Sequence, residues 1–485
     1  MAGAQTLDRD AHQLARTLGS DPMPDATRRA MQVAVIGAGW AGLAAAVEAT
    51  AQGHRVTLIE MAPAAGGRAR RASTDSGLLL DNGQHILIGA YTETLRLMRL
   101  VGVEPGEVLL RTPLTLAFAD GGALELPAGR PAPAFARAVL ARSGWRWRER
   151  LALLMAAAGW ARSGFVCDPA LTVAQLTAQL PARIRADLID PLCIAALNTP
   201  AAMASASVFL RVLHDALFSG AGSADMLLPR VDLSALWPDA AIAWLEAHGT
   251  DVRLARRVVR IEPDAPTADP ADAGWRVDDE RFDGVVLAAS SVEAARLARP
   301  IAPAWARRAA ALRQEPIATV VLHAKGARLS HPLLALRDSA TEPAQFVLDL
   351  GRLRGMDGVL AFVISGAAAW TARGNEATAQ AVLEQARRAL AHQLRAPLEL
   401  VRIFTEKRAT FLCTPNLERP AQPLAPGLVA AGDYVAGPYP ATLEGAVRSG
   451  VGAIAALEKE LPNDAARAQR RANGAASGSP MKTPC

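Results

Sequence analysis

One short segment constrains this chain more than any other. Val33-Ala34-Val35-Ile36 is an apolar run of the kind that forms a strand buried on both faces, and it leads directly into Gly37-Ala38-Gly39-Trp40-Ala41-Gly42. The residues after Gly42, Leu43-Ala44-Ala45-Ala46-Val47-Glu48-Ala49, read as a helix. In a strand–GxGxxG–helix unit the glycines have separate jobs: a tight turn, close backbone approach to a pyrophosphate, and close packing of helix on strand. The phosphates would sit at the helix N-terminus, where unpaired N–H groups and the helix dipole favour anions. A second strand, Arg55-Val56-Thr57-Leu58-Ile59, ends on Glu60, eighteen residues after Gly42. That is close to the ~20 at which an acidic side chain receives ribose hydroxyls. A carboxylate there also disfavours a 2′-phosphate.

The rest of the chain alternates between two textures. Residues 31–95, 249–300 and 421–462 carry strand, glycine and helix patterns; 96–248 and 301–420 are rich in alanine and leucine with proline breaks. This predicts an α/β nucleotide-binding domain assembled from three separated pieces, with an α+β substrate-binding domain inserted between them. Residues 1–30 read as a loose extension and 463–485 as a disordered tail. The middle piece contributes Val252-Arg253-Leu254, Val258 to Ile261, Trp275 to Val277 and Phe282 to Ala288 as strands.

Composition sets the outer limits. Hydrophobic residues make up 51% and charged residues 20%, enough apolar content for a large core. The longest apolar runs, such as Leu151 to Ala161, fall well short of the ~20 residues that span a bilayer. Together with the lack of a leader-like start, this predicts a cytoplasmic protein that meets a membrane only from its surface. Cys167, Cys193, Cys413 and Cys485 are widely spaced, which predicts neither a metal site nor a disulfide framework. The net charge of +5 comes with no nucleic-acid motif. Arginines and tryptophans between Ala132 and Gly164 fit a helix lying in a membrane interface, or equally a solvated helix packing its apolar face on the core.

Three further segments carry a resemblance. Gly66-Gly67-Arg68 follows Glu60 in the spacing E-x5-GGR; near the other end stand Leu428-Val429-Ala430-Ala431-Gly432-Asp433 and then Thr442-Leu443-Glu444-Gly445. Together these resemble the amine oxidase and phytoene desaturase superfamily of flavoproteins. The resemblance implies an FAD-binding Rossmann-like fold of the two-dinucleotide-binding-domain type. It implies Gly67 and Arg68 at the pyrophosphate, Asp433 at the ribityl chain, and Val258 near the adenine. The helix starting at Ala441 or Thr442 would present its N-terminus to the flavin, with Thr442 and Leu443 at that end.

Asp81-Asn82-Gly83-Gln84-His85-Ile86 with Gly89-Ala90-Tyr91 narrows the likeness to the squalene-associated FAD-dependent desaturases, also called hydroxysqualene dehydroxylases. This implies reductive loss of an allylic hydroxyl from an apolar isoprenoid, with the substrate handed over by a partner synthase. Loss of hydroxide in an apolar pocket needs a proton donor. His85 is a candidate through its near-neutral reference pKa, and Tyr91 and Tyr434 could donate to or position the hydroxyl. All three tyrosines of the chain, Tyr91, Tyr434 and Tyr439, fall in these segments. Two rival readings share the motifs: a carotenoid-type desaturase, and a non-catalytic prenyl-binding chaperone such as the GDP-dissociation inhibitors. The second has no use for a complete set of flavin ligands.

Overall fold

The computed structural model describes residues 30–73, 77–264 and 274–460. The expected loose extension (residue 30 aside) and the C-terminal tail from 463 lie outside them. A six-stranded sheet dominates one half of the molecule. Its order is Asp251–Arg253, Arg55–Ile59, Gln32–Ile36, Gly284–Leu287, Leu428–Ala430 and Pro423–Ala425. The first five strands run parallel, and Pro423–Ala425 adds an antiparallel edge. From Gln32–Ile36 the chain builds outward in one direction, then returns to build in the other. The reversal leaves a crevice beside the carboxyl ends of Gln32–Ile36 and Gly284–Leu287, where open α/β sheets bind their ligands.

Two helices cover one face. Trp40–Ala51 is alanine-rich and buried nearly all round, because it lies between the sheet and the C-terminal helix Leu443–Glu460. The helices touch where side chains vanish: a Cβ on Gly450 would lie 2.1 Å from the Ala41 carbonyl oxygen. Here the small-residue pattern of the C-terminal segment is a packing requirement.

The middle piece differs in detail from expectation. The stretch from Phe282 to Ala288 is not one strand. Glu280–Phe282 belongs to a three-stranded antiparallel sheet with Trp275–Val277 and Ile261–Pro263, and only Gly284–Leu287 enters the large sheet. The change occurs at Asp283, whose carboxylate accepts the Gln32 N–H at 2.9 Å and whose own N–H donates to the Gln32 carbonyl at 2.8 Å. Val258 to Arg260 precedes the strand at Ile261, pinned by the Asp278 carboxylate, which accepts from the N–H groups of Val259 and Arg260.

The second half is built on a five-stranded antiparallel sheet, ordered Leu333–Ala335, Phe346–Asp349, Val359–Ile364, Gln314–His323 and Glu399–Phe411. Helix Asn375–Ala389 packs against its Gln314–His323 and Glu399–Phe411 strands, and a set of helices between residues 131 and 218 completes this half. The basic, tryptophan-containing segment forms two helices, Pro131–Ala141 and Trp147–Arg162, with a turn between them in which Gly144 takes φ +83°. Among the described residues no helix is long and apolar enough to cross a membrane.

Candidate functional site

The crevice at the sheet's switch point opens into a cleft of about 350 Å³, within the size range of small-molecule sites. Its walls come from four distant segments: the first glycine loop, the Gly66-Gly67-Arg68 loop, residues 256–258 with 288–290, and Gly432 to Tyr434. Gly37, Ala41, Glu60, Gly67 and Arg68 line it, as do Val258, Gly432, Asp433 and Tyr434.

The glycines are required by backbone proximity. At φ +109°, Gly37 has no room for a Cβ, which would lie 2.6 Å from the Ala288 carbonyl oxygen; one on Gly42 would lie 1.8 Å from the Gly37 oxygen. The two glycine loops also meet: the Gly66 N–H donates to the Ala38 carbonyl at 2.8 Å, and a Cβ on Gly67 would come within 3.0 Å of the Gly39 Cα. Gly39 and Gly42 therefore shape the loop from behind. Trp40 turns inward, with its indole N–H donating to the Ala69 carbonyl at 3.0 Å and its ring tilted against Trp237. Its side chain supports the Gly66-Gly67-Arg68 loop, and only its backbone belongs to the helix N-terminus.

Glu60 is buried, and its carboxylate accepts from the N–H groups of Ala38 and Ala62, both at 2.7 Å. It thus clamps the loop it was expected to serve, with lone pairs left for hydroxyl donors on the cleft side. Arg68 was expected to offer its fork to phosphate. Here it donates to Asp433 Oδ1 at 2.6 Å and to the Ala409 carbonyl at 2.6 Å. Asp433 is itself buried, and its carbonyl accepts from Arg419. This pairing brings the N-terminal and C-terminal motifs into one wall.

Thr442 caps the C-terminal helix: its hydroxyl accepts from the Gly445 N–H at 3.0 Å, and Leu443 is the first helical residue. Both sit behind the cleft wall. Tyr91 lies beside them, its hydroxyl near the Thr442 side chain. Burial, followed by the Glu444 charge, pushes the Tyr91 pKa upward.

The three proton-donor candidates separate clearly. Burial, reinforced by the Arg68 charge, pushes the His85 pKa down to about 4. Both effects disfavour the imidazolium form that a proton donor at this position would need. Tyr434 is buried in the cleft wall, and its hydroxyl has no hydrogen-bond partner among the described residues. Its pKa is also raised, by burial and then by Asp433. Tyr439 stands outside the cleft, with the guanidinium groups of Arg211 and Arg448 5.4 and 5.6 Å from its ring centre. Of the three tyrosines, only Tyr434 lines this space.

Several residues were not visible in the sequence. Glu406, on strand Glu399–Phe411, lines the cleft and accepts from Asn82 Nδ2 at 3.2 Å. Glu444 is buried and accepts from Glu93 N, Thr94 N and Thr94 Oγ1, capping helix Thr92–Leu100. Glu406 belongs to no local pattern, and Glu444 falls in the C-terminal motif without the motif announcing its role. Each is recruited by a partner hundreds of residues away.

These residues fit a dinucleotide carrying a flavin. Two glycine loops leave a backbone cradle for phosphates, a carboxylate waits at the end of the second strand, and Tyr434, with an unpaired buried hydroxyl, is part of the cleft wall. Comparison with known proteins agrees. The model of the flavin-containing amine oxidoreductases matches residues 40–457. Hydroxysqualene dehydroxylase of Zymomonas mobilis is 26% identical over 434 residues, covering 86% of this chain and 96% of that one. A zeta-carotene desaturase of Zea mays is 40% identical, but over 74 residues and 15% of this chain. Among solved structures, an oxidoreductase from Methanosarcina mazei superposes with a TM-score of 0.65 at 17% identity, covering 88% of this chain and all of that one. Architecture, cleft and family match agree: this chain belongs to the flavin-containing amine oxidoreductases and is an FAD-dependent oxidoreductase.

Proposed function

We propose that this enzyme removes the hydroxyl group of hydroxysqualene reductively, giving squalene for hopanoid or related triterpenoid synthesis. The observation that carries the reading is the likeness to a hydroxysqualene dehydroxylase along nearly the whole length of both chains. The likeness to a carotene desaturase covers a short segment only.

When bound and reduced, the flavin supplies a hydride to the carbon that loses its hydroxyl. The rest falls to the chain's own residues. Gly37, Gly39, Gly42 and Gly67 let the backbone close on the phosphates, Glu60 takes ribose hydroxyls, and Arg68 with Asp433 closes the wall between the two motifs. Tyr434 is the residue assigned to the departing hydroxyl. Tyr434 is part of the cleft wall, its hydroxyl is buried and unpaired among the described residues, and its raised pKa keeps the proton on oxygen at neutral pH. Tyr91 holds Thr442 at the helix start.

The enzyme would take this substrate from a membrane. Trp147, Leu151 and Met155 lie on successive turns of helix Trp147–Arg162 and are 67%, 44% and 59% exposed; Leu153 is the only buried residue of the helix. An exposed apolar row beside Arg146, Arg148 and Arg162 suits peripheral contact with an anionic surface, and hand-over from the synthase that makes the substrate.

The deciding experiment is anaerobic incubation of the FAD-loaded enzyme with dithionite and hydroxysqualene, followed by mass spectrometry. Squalene should appear and should be lost in the Asp433→Ala variant. A flavin-loaded enzyme that leaves hydroxysqualene intact but desaturates a polyene with oxidised flavin would overturn the proposal in favour of a carotenoid-type desaturase.

A further inference from the structure

A pyrophosphate bridge is doubly ionised at neutral pH, and a helix N-terminus meets it with only about half a positive charge. The rest of the charge has to be balanced by side chains. Four of the described arginines line the flavin cleft: Arg68, Arg70, Arg256 and Arg257. Arg68 is committed to Asp433 and to the carbonyls of Arg408 and Ala409. Arg257 donates to Glu293 at 3.0 Å. Arg256 is exposed and stands next to Glu60, whose carbonyl accepts its backbone N–H at 2.8 Å, which puts it at the ribose end.

Arg70 is different. It is half-buried, and its Nη1 donates to the Gly67 carbonyl at 3.1 Å. Among the described residues this is its only side-chain hydrogen bond, and no carboxylate pairs with it. Gly67 is where the second glycine loop comes against Gly39, so the guanidinium is anchored at the meeting point of the two loops. The root of the side chain is fixed as well. The Arg70 carbonyl accepts from the Asn82 N–H at 3.0 Å, and the Arg71 N–H donates to Ser234 Oγ at 2.9 Å. One donor of a planar fork is spent on Gly67, which leaves the others for anionic oxygens.

We infer that Arg70 is the cation that neutralises the FAD pyrophosphate, in place of Arg68, whose charge Asp433 takes up. The two arginines of one loop thus divide the work: Arg68 ties the N-terminal motif to the C-terminal one, and Arg70 holds the phosphates. The inference concerns the cofactor and stands whichever substrate the enzyme reduces.

The test is calorimetric titration of the full-length chain, freed of flavin, with ADP and with adenosine, which differ only in the pyrophosphate. The unaltered chain should hold ADP more tightly. Arg70→Gln should weaken ADP roughly tenfold, the worth of a charge-assisted hydrogen bond at a partly exposed site, and leave adenosine unchanged. Arg70→Lys keeps the charge and should keep most of the preference for ADP. Arg68→Gln combined with Asp433→Asn removes an ion pair without changing net charge, and should leave the ratio of the two affinities as it is. The loss in Arg70→Gln should recur with FAD itself. If Arg70→Gln weakens both probes alike, the residue is structural and the assignment falls. It falls too if the ratio stays put in Arg70→Gln and moves instead in Arg256→Gln or in the Arg68 and Asp433 double variant.

Discussion

The Arg68 guanidinium donates to Asp433 Oδ1 at 2.6 Å, joining residues 365 positions apart in sequence. Asp433 is buried while the Arg68 side chain is 40% exposed, so the two partners are not equivalent. Removing Arg68 strands a buried carboxylate beside the flavin site; removing Asp433 leaves a cation that water can solvate. Arg68→Ala should therefore destabilise this wall of the site more than Asp433→Ala does. A loss of roughly tenfold in FAD affinity is expected for Arg68→Ala, in line with a charge-assisted hydrogen bond at a partly exposed site. Titration of the apoprotein with FAD, followed by flavin fluorescence, measures it.

Gly450 lets the C-terminal helix approach Trp40–Ala51. With its would-be Cβ 2.1 Å from the Ala41 carbonyl oxygen, Gly450→Ala forces two helices apart. Overpacking of this kind costs about 1–3 kcal/mol. Urea unfolding should show the loss, and FAD retention should fall with it, since Ala41 lines the cleft.

Glu444 is a buried carboxylate that accepts from Glu93 N, Thr94 N, Thr94 Oγ1 and Arg448 Nε. In Glu444→Gln an amide N–H₂ must face one or more of these donors. A destabilisation of roughly 2–4 kcal/mol follows from unpaired buried donors. Chemical denaturation of the variant beside the unaltered chain reads it directly.

His85 makes stability depend on pH in a stated direction. Its folded pKa, about 4, lies below the ordinary 6.5, so between these limits the unfolded chain binds more protons. The contribution is complete above pH 6.5 and is lost as pH falls toward 4. The unaltered enzyme should lose more thermal stability between pH 7 and pH 5 than His85→Gln does. Equal losses would place the His85 pKa near its ordinary value.

Local chemistry made one part of this protein legible from sequence alone. Val33 to Gly42 could only be a strand, a tight turn and a helix. Glu60 at the end of the next strand and the glycine pair before Arg68 declared a dinucleotide site, because each residue type answers to backbone geometry within a few positions. The tertiary structure decided what depends on partners far apart. It set Arg68 against Asp433 and gave Glu444 to a helix that starts at Thr92. Trp40 was turned into the core, and Phe282 was split from Gly284. It also set the surroundings of the proton-donor candidates. His85 had the ordinary pKa in its favour, but burial and the Arg68 charge lower it, whereas the Tyr434 hydroxyl is buried with no hydrogen-bond partner among the described residues. Desolvation and hydrogen-bond satisfaction depend on everything packed around a group, and no stretch of sequence contains that information.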